Sequence, residues 1–216
     1  MEALTLSSPM IIDVVGLPGA GKSFFANQFA NTFGAAVVSQ DKIRWTLFAH
    51  HTYSDNENAM VEQVSDLMIT ELLRTKKTFV LDGGYNRASV RHALANRARR
   101  NGYRMLTIVV QTDEPTSRRR ATKRSEKKPG DQYKQSLTNE QFDAARDAYE
   151  EPSTTADDVV VISGKHTYNT QAKIVLRKMI EISGQSTAAK RDEAKESRPA
   201  QPRATLNIKP RGPFVG

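Results

Sequence analysis

Residues Gly16-Leu17-Pro18-Gly19-Ala20-Gly21-Lys22-Ser23 fit the pattern G-x-x-x-x-G-K-[ST] at every required position. The chemistry of that spacing is phosphate binding. Glycines let the main chain wrap an anion with no side chain in the way, and the loop amides and following helix N-terminus supply donors and positive dipole. Lys22 would reach the β and γ phosphates, and the Ser23 hydroxyl would ligate Mg²⁺. ATP with Mg²⁺ is therefore expected, on a loop comprising Gly16, Pro18, Gly19, Ala20, Gly21, Lys22, Ser23 and Phe24. The motif follows an apolar run, Met10–Val15, and opens a stretch with Phe25, Phe29 and Phe33 at helical spacing. That is the strand–loop–helix context the motif needs.

Three further groups have spacing suited to phosphoryl transfer. Asp41, in Ser39-Gln40-Asp41-Lys42-Ile43-Arg44, follows an apolar run and would stand at the carboxyl edge of a sheet, where open α/β folds bind ligands. It could take the proton of an acceptor hydroxyl, or simply cap the next helix; spacing alone leaves both open. Arg44, one turn on, could hold an anionic acceptor or be a surface charge. Phe79-Val80-Leu81-Asp82 is an apolar run ending in a carboxylate, so Asp82 is a second candidate metal ligand. Arg118-Arg119-Arg120 and Arg124 are expected on one helix, with Arg120 and Arg124 sharing a face. There they could cover transferring phosphate as a lid, the alternative being a solvated basic face.

Positioning these groups requires strands that deliver loops to one edge. Apolar runs at Met10–Val15, Ala36–Ser39, Thr78–Leu81, Arg104–Val110 and Asp158–Ile162 alternate with helical patterns at Lys22–Phe33, Asp41–Phe48, Ala59–Arg74, Ala88–Arg100, Thr138–Glu150 and Thr170–Ile182. Pro115 opens one more helix, Asn101-Gly102 closes one, and Asp55–Asn58 reads as a polar loop. The alternation predicts an α/β fold, a parallel sheet of five strands covered on both faces. Asp13 interrupts the first strand and needs a partner if buried.

Charge is unevenly placed along the 216 residues. The net +8 resolves into +6 over residues 116–134, +4 over residues 186–216, and −2 elsewhere. The body is close to neutral, and a lid at about 116–137 would place basic charge over phosphate. Residues 186–216 are rich in Ala, Lys, Arg, Ser and Pro and read as a disordered tail whose charge could contact nucleic acid. This leaves one folded domain at 10–185 behind a short extension, 1–9. The absence of cysteine excludes disulfide, iron–sulfur and thiol chemistry. No membrane-length apolar run or secretory leader is present, which points to the cytoplasm. No [NT]-K-x-D guanine-reading element or L-S-G-G-Q transporter signature occurs, and the chain is short for a hexameric motor. His50-His51 lacks partners at ligand spacing, while Trp45, Phe48 and Tyr53 suit a core or hinge better than base stacking.

Taken together, these residues resemble the small P-loop kinases grouped with polynucleotide kinases, zeta toxins and chloramphenicol phosphotransferases. More narrowly, they resemble the bacterial AAA-domain ATP-binding proteins described as kinases. The resemblance runs from about residue 10 to 182. It rests on the loop, on Asp41-Lys42-Ile43-Arg44, on Asp82 followed by Arg87 and Arg91, on Arg120 and Arg124, and on Glu151-Pro152. It implies a three-layer P-loop fold with an arginine-rich lid. It implies Asp41 as general base, with Arg44 beside the acceptor phosphate or transition state. Lys22, Arg120 and Arg124 would stabilise transferred charge, and Arg87 and Arg91 would be acceptor-binding. The implied activity is γ-phosphate transfer from ATP to a hydroxyl, on a nucleic-acid 5′ end or a small metabolite. A nucleotide-binding switch is the competing reading, and a switch has no use for a base aimed at an acceptor.

Overall fold

The structure, a computed structural model, describes residues 8–124, 133–153 and 158–196, and side chains as far as 184. Five strands, β1 (Met10–Val15), β2 (Ala36–Ser39), β3 (Phe79–Asp82), β4 (Arg104–Gln111) and β5 (Val159–Ser163), form one sheet in the order β2-β3-β1-β4-β5. Every pairing is parallel. Among the described residues seven helices accompany them: α1 (Lys22–Phe33), α2 (Gln40–Leu47), α3 (Asp55–Thr75), α4 (Ala88–Arg100), α5 (Glu114–Thr122), α6 (Asn139–Asp147) and, after the last strand, α7 (Tyr168–Glu196).

β1 is buried along its whole length because helices cover both faces. Alternate residues serve the two cores. Ile12 and Val14 pack with Phe25, Phe29, Val175 and Met179 of α1 and α7. Ile11 and Val15 pack with Ile43, Val61, Ile69 and Leu94 of α2, α3 and α4. Strand alternation puts Asp13 on the second face, at 0% exposure.

The sequence reading differs from the structure in several places. Asp55–Asn58 is the first turn of α3, where Ser54 caps the helix by accepting from the Glu57 amide at 3.4 Å. Ser39 is the cap residue of α2, leaving Asp41 in the first turn rather than at the cap. α5 ends at Thr122, so Arg124 lies beyond it and shares no helix face with Arg120. α7 runs to Glu196, so the start of the segment expected to be disordered is helical. Ala188, Ala189, Lys190, Arg191, Ala194 and Lys195 are good helix formers that extend a helix already anchored on the core. Residues 197–216, and 125–132 of the expected lid, lie outside the described residues.

Candidate active site

The strand order places β1 and β3 side by side, so the loops leaving their carboxyl ends converge. After β1 the chain turns through Gly16 (φ 138°) and Gly19 (φ 79°), backbone that side chains rarely adopt. A Cβ on Gly19 would overlap the Ser117 carbonyl of α5, and one on Gly16 would meet the Val110 carbonyl of β4. The loop is thus seated directly on neighbouring main chain. The Thr112 hydroxyl donates to the Ala20 carbonyl at 3.0 Å, and Gly164 packs so closely on Ala20 that no side chain would fit there. Thr112, Ser117 and Gly164 hold the loop, yet no sequence motif marks them. Their only signal is position, just after β4 and β5.

Asp82, at the end of β3, is 4% exposed. It accepts hydrogen bonds from Ser23 Oγ at 2.8 Å and from Ser39 Oγ at 3.1 Å. These two bonds tie the loop, β2 and β3 together. Lys22 folds back over its own loop, donating to the Gly16 and Leu17 carbonyls at 2.8 and 2.9 Å. Burial pushes its ammonium down to about 8, with Lys134 adding to the shift and Asp82 and Asp41 opposing it.

The cation that reaches the loop mouth is Lys134, which sequence reasoning did not single out from the basic segment. Its ammonium donates to Ser23 Oγ and pairs with Asp41 Oδ2 at 3.0 Å. The neighbouring Tyr133 packs edge-on against Trp45 of α2, with ring centroids 6.3 Å apart, and lies under Lys42. Trp45 therefore anchors the returning end of this segment. Burial raises the Asp41 carboxyl, but Lys134, Arg124 and Lys22 outweigh it and hold Asp41 below the usual carboxylate range. Arg124 thus belongs to the electrostatic site, its guanidinium steadied by the Gln135 carbonyl at 3.0 Å. Arg120 has a longer contact, 3.4 Å, to the Gly164 carbonyl. Arg118 clamps α5 to α6 through Glu114 and Asp143, over the Phe142 ring.

Two arginines expected at the acceptor have other partners. Arg44 is 8% exposed, and its guanidinium donates to Glu57 at 2.5 Å and Asn58 at 2.8 Å, stacked on Tyr53. It joins α2 to α3, because a buried guanidinium must satisfy its donors nearby. Arg91, also buried, donates to the Tyr85 carbonyl at 3.0 Å and the Glu150 carbonyl at 2.8 Å. It is also the cation facing Asp13. Burial pushes Asp13 up to about 8, and Arg91 opposes the shift without bonding either carboxyl oxygen. Arg87 lines a cavity beside α2, and Phe24, in the first turn of α1, is exposed.

A metal at this site is best tested through Lys134. A cationic nitrogen already touches Ser23 and pairs with Asp41, and the Asp82 and Asp41 carboxylates raise its basicity against the burial that would lower it. The donor set fits Mg²⁺, which is commonly held by one or two protein oxygens together with phosphates and water. Among the described residues no group of three or more His, Asp or Glu could hold a metal by itself. Nor is any helix among them long and apolar enough to cross a membrane.

Comparisons with known proteins bear on the fold and the family. The fold is similar to a gluconokinase from Sinorhizobium meliloti 1021 (TM-score 0.60, 15% identity, 84% of this chain and 97% of that one). It is also similar to Chaetomium thermophilum Kti12 in complex with ADP-AlF3 (0.58, 17%, 80% and 96%). A third likeness is to the Mycobacterium tuberculosis APS kinase CysC in complex with AMPPNP and APS (0.53, 16%, 80% and 98%). At these identities the likeness establishes the fold alone, a P-loop α/β sandwich with a five-stranded parallel sheet. No curated protein matches the sequence. The AAA domain family model, AAA_33, matches residues 11–152, which carry the loop, Asp41 and Asp82, and the chain belongs to that family.

Proposed function

We propose that the chain is an ATP- and Mg²⁺-dependent kinase that transfers the γ-phosphate to a hydroxyl group, with Asp41 as general base. The observation that carries this reading is the meeting of Asp41 with Lys134 and Ser23 at the loop mouth. Asp41 has no part in capping α2, and its carboxylate is held ionised where an acceptor could approach transferring phosphate.

Ser23 and Asp82 would hold the metal, which when bound neutralises charge on the β and γ phosphates. Lys22 would leave the Gly16 and Leu17 carbonyls for the phosphates. Lys134 would give up its seat between Ser23 and Asp41 and follow the γ-phosphate, joined by Arg124. Loss of the Lys134 partner lifts the affinity of Asp41 for a proton at the moment a base is needed. The acceptor O–H proton then passes to Asp41, the oxygen bonds to the γ-phosphorus, and the bond to the β–γ bridging oxygen breaks, releasing ADP. Asp41→Asn tests the reading. Label transfer from ATP should fall by about 10²-fold or more while ATP binds at least as tightly as before. Unchanged turnover would remove Asp41 from the mechanism, and ATP binding with no transfer to any acceptor in the wild type would favour a nucleotide switch.

A further inference from the structure

A cavity of about 550 Å³ opens beside α2, among α3 and the β3–α4 turn. Gln40, the residue before Asp41, is on its wall with Glu62, Asp66, Tyr85, Asn86 and Arg87. Two residues of this wall, Tyr85 and Asn86, connect it to a group of buried polar atoms beneath the surface. Among the described residues, Asp13 Oδ1 and Oδ2, Arg91 Nε, Asn86 Oδ1 and the Tyr149 hydroxyl have no hydrogen-bond partner. They form one neighbourhood. Arg91 holds the Tyr85 carbonyl, the Glu150 amide donates to the Asn86 carbonyl at 3.0 Å, and the Tyr85 phenol lies in the fields of Asp13, Asp66 and Glu62. Folded proteins leave few such atoms unpaired, and several at one place mark a seat for buried water behind this wall.

We propose that this cavity binds the phosphate acceptor and that the acceptor is an uncharged, polyhydroxylated molecule of sugar size. The proposal rests on the kinase reading and names its substrate class. The cavity volume is within the range of small-molecule sites. Its wall carries two acceptor carboxylates, Glu62 and Asp66, one oxygen of the latter being held by Arg97, beside the Gln40 amide. Arg87 is a donor on the same wall. A hydroxyl can satisfy both kinds, since it donates once and accepts twice.

Charge argues against the alternatives. Of the cavity-lining residues Arg87 alone is cationic, set against Glu62 and Asp66, and Arg97 is bound to Asp66 and Thr70. Arg44 and Arg91, the other nearby guanidiniums, have both terminal nitrogens occupied within the protein. A phosphorylated sugar, an aldonate or a nucleic-acid end would bring negative charge toward two carboxylates with one guanidinium to receive it. Phosphate recognition instead gathers free arginine and lysine.

The test uses the full chain and two measurements. In the first, labelled ATP is offered with glucose, N-acetylglucosamine and myo-inositol, then with glucosamine, gluconate, glucose 6-phosphate and a 5′-hydroxyl oligonucleotide. In the second, the same compounds are titrated calorimetrically into the Asp41→Asn protein loaded with ADP. At least one uncharged polyol should be labelled with a kcat/KM about tenfold or more above every charged compound. Glu62→Ala should lower that kcat/KM about tenfold through KM, the loss of one substrate hydrogen bond. Preference for an anion, an amine or the oligonucleotide overturns the substrate class while leaving the kinase reading standing. Calorimetric binding of a polyol with no transfer to any compound supports the cavity assignment and removes the kinase reading. Failure of every uncharged polyol to bind at millimolar concentration overturns the proposal outright.

Discussion

Lys134→Met gives the site its most demanding test, because it should act in opposite directions on binding and on turnover. The ammonium and the Asp41 carboxylate are 3.0 Å apart, with side chains 15% and 38% exposed. At an effective dielectric of about 20 the raw attraction is ~5 kcal/mol. Both groups lose hydration, Asp41 remains open to solvent, and comparable pairs retain on the order of 1 kcal/mol net. Mg²⁺ arriving at Ser23 must displace this ammonium, so the pair opposes metal–nucleotide binding by about that amount, or roughly fivefold. Mn²⁺·ADP, followed by calorimetry and by the manganese resonance signal, should therefore bind roughly fivefold tighter to Lys134→Met. ADP lacks the γ-phosphate, so the lost lysine costs that complex nothing. Turnover with ATP should fall by about tenfold or more, since a cation is missing from the transferring group. Thermal unfolding of the free protein checks that the methionine variant folds. Unchanged or weaker Mn²⁺·ADP binding would show that Lys134 does not occupy the metal's place.

Gly19→Ala should destabilise the fold by about 2–4 kcal/mol in urea unfolding, because φ is 79° and the new methyl overlaps the Ser117 carbonyl; a change within experimental error would mean the loop is not clamped on α5. Lys22 titrates at about 8 in the free protein, so phosphate binding, which raises it again, should take up a proton above pH 8 and weaken as pH rises further. Calorimetry of ADP binding in buffers of different ionisation heat reads that uptake, and its absence at pH 8.5 refutes the Lys22 assignment. For Asp13, the folded pKa near 8 lies above the ordinary 3.8, so the folded chain binds the extra proton between those values. Its contribution to stability falls as pH rises through that window, by up to roughly 1.4 kcal/mol per pH unit. Asp13→Asn should flatten the dependence of the urea midpoint between pH 5 and 7.5, and parallel curves for the two proteins would place the charge elsewhere.

What the sequence made legible was local. The strands of the sheet are short apolar runs between turn signals, and the phosphate loop is a contiguous pattern whose glycines have backbone reasons to be glycine. The first turn of α3 was also locally encoded, by Ser54 and Glu57 at capping-box spacing, although the polar composition of Asp55–Asn58 argued for a loop. The rest depends on contacts between distant segments. Arg44 could serve an acceptor or join two helices, and only the packing of α2 on α3 brings Glu57 within 2.5 Å of it. Lys134 is one of eight basic residues between 116 and 134, and nothing in composition separates it from the others. What selects it is Tyr133 docking on Trp45, a contact across 88 positions that fixes the backbone immediately before it. The field of Arg91 on Asp13 is likewise set by β-strand alternation together with the path of α4.

The resting arrangement has a common physical cause. An empty phosphate loop gathers positive charge and amide donors with no anion to receive them. Lys134 lies close enough to Lys22 to depress its proton affinity. The structure relieves this strain with internal partners: loop carbonyls for Lys22, and Asp41 with Ser23 for Lys134. Each is a contact that a nucleotide and its metal can replace with a stronger one, so binding exchanges partners without leaving a buried charge alone. The exchange also links occupancy to chemistry. While Lys134 is on Asp41, the carboxylate is a poor base and the approach to it is blocked by an ammonium. In the proposed reaction, metal and phosphates would draw the lysine away and leave the same carboxylate both accessible and more basic. In that reaction the base is thus released only once donor and metal are loaded, and the lysine that quenches it follows Tyr133, which docks on Trp45.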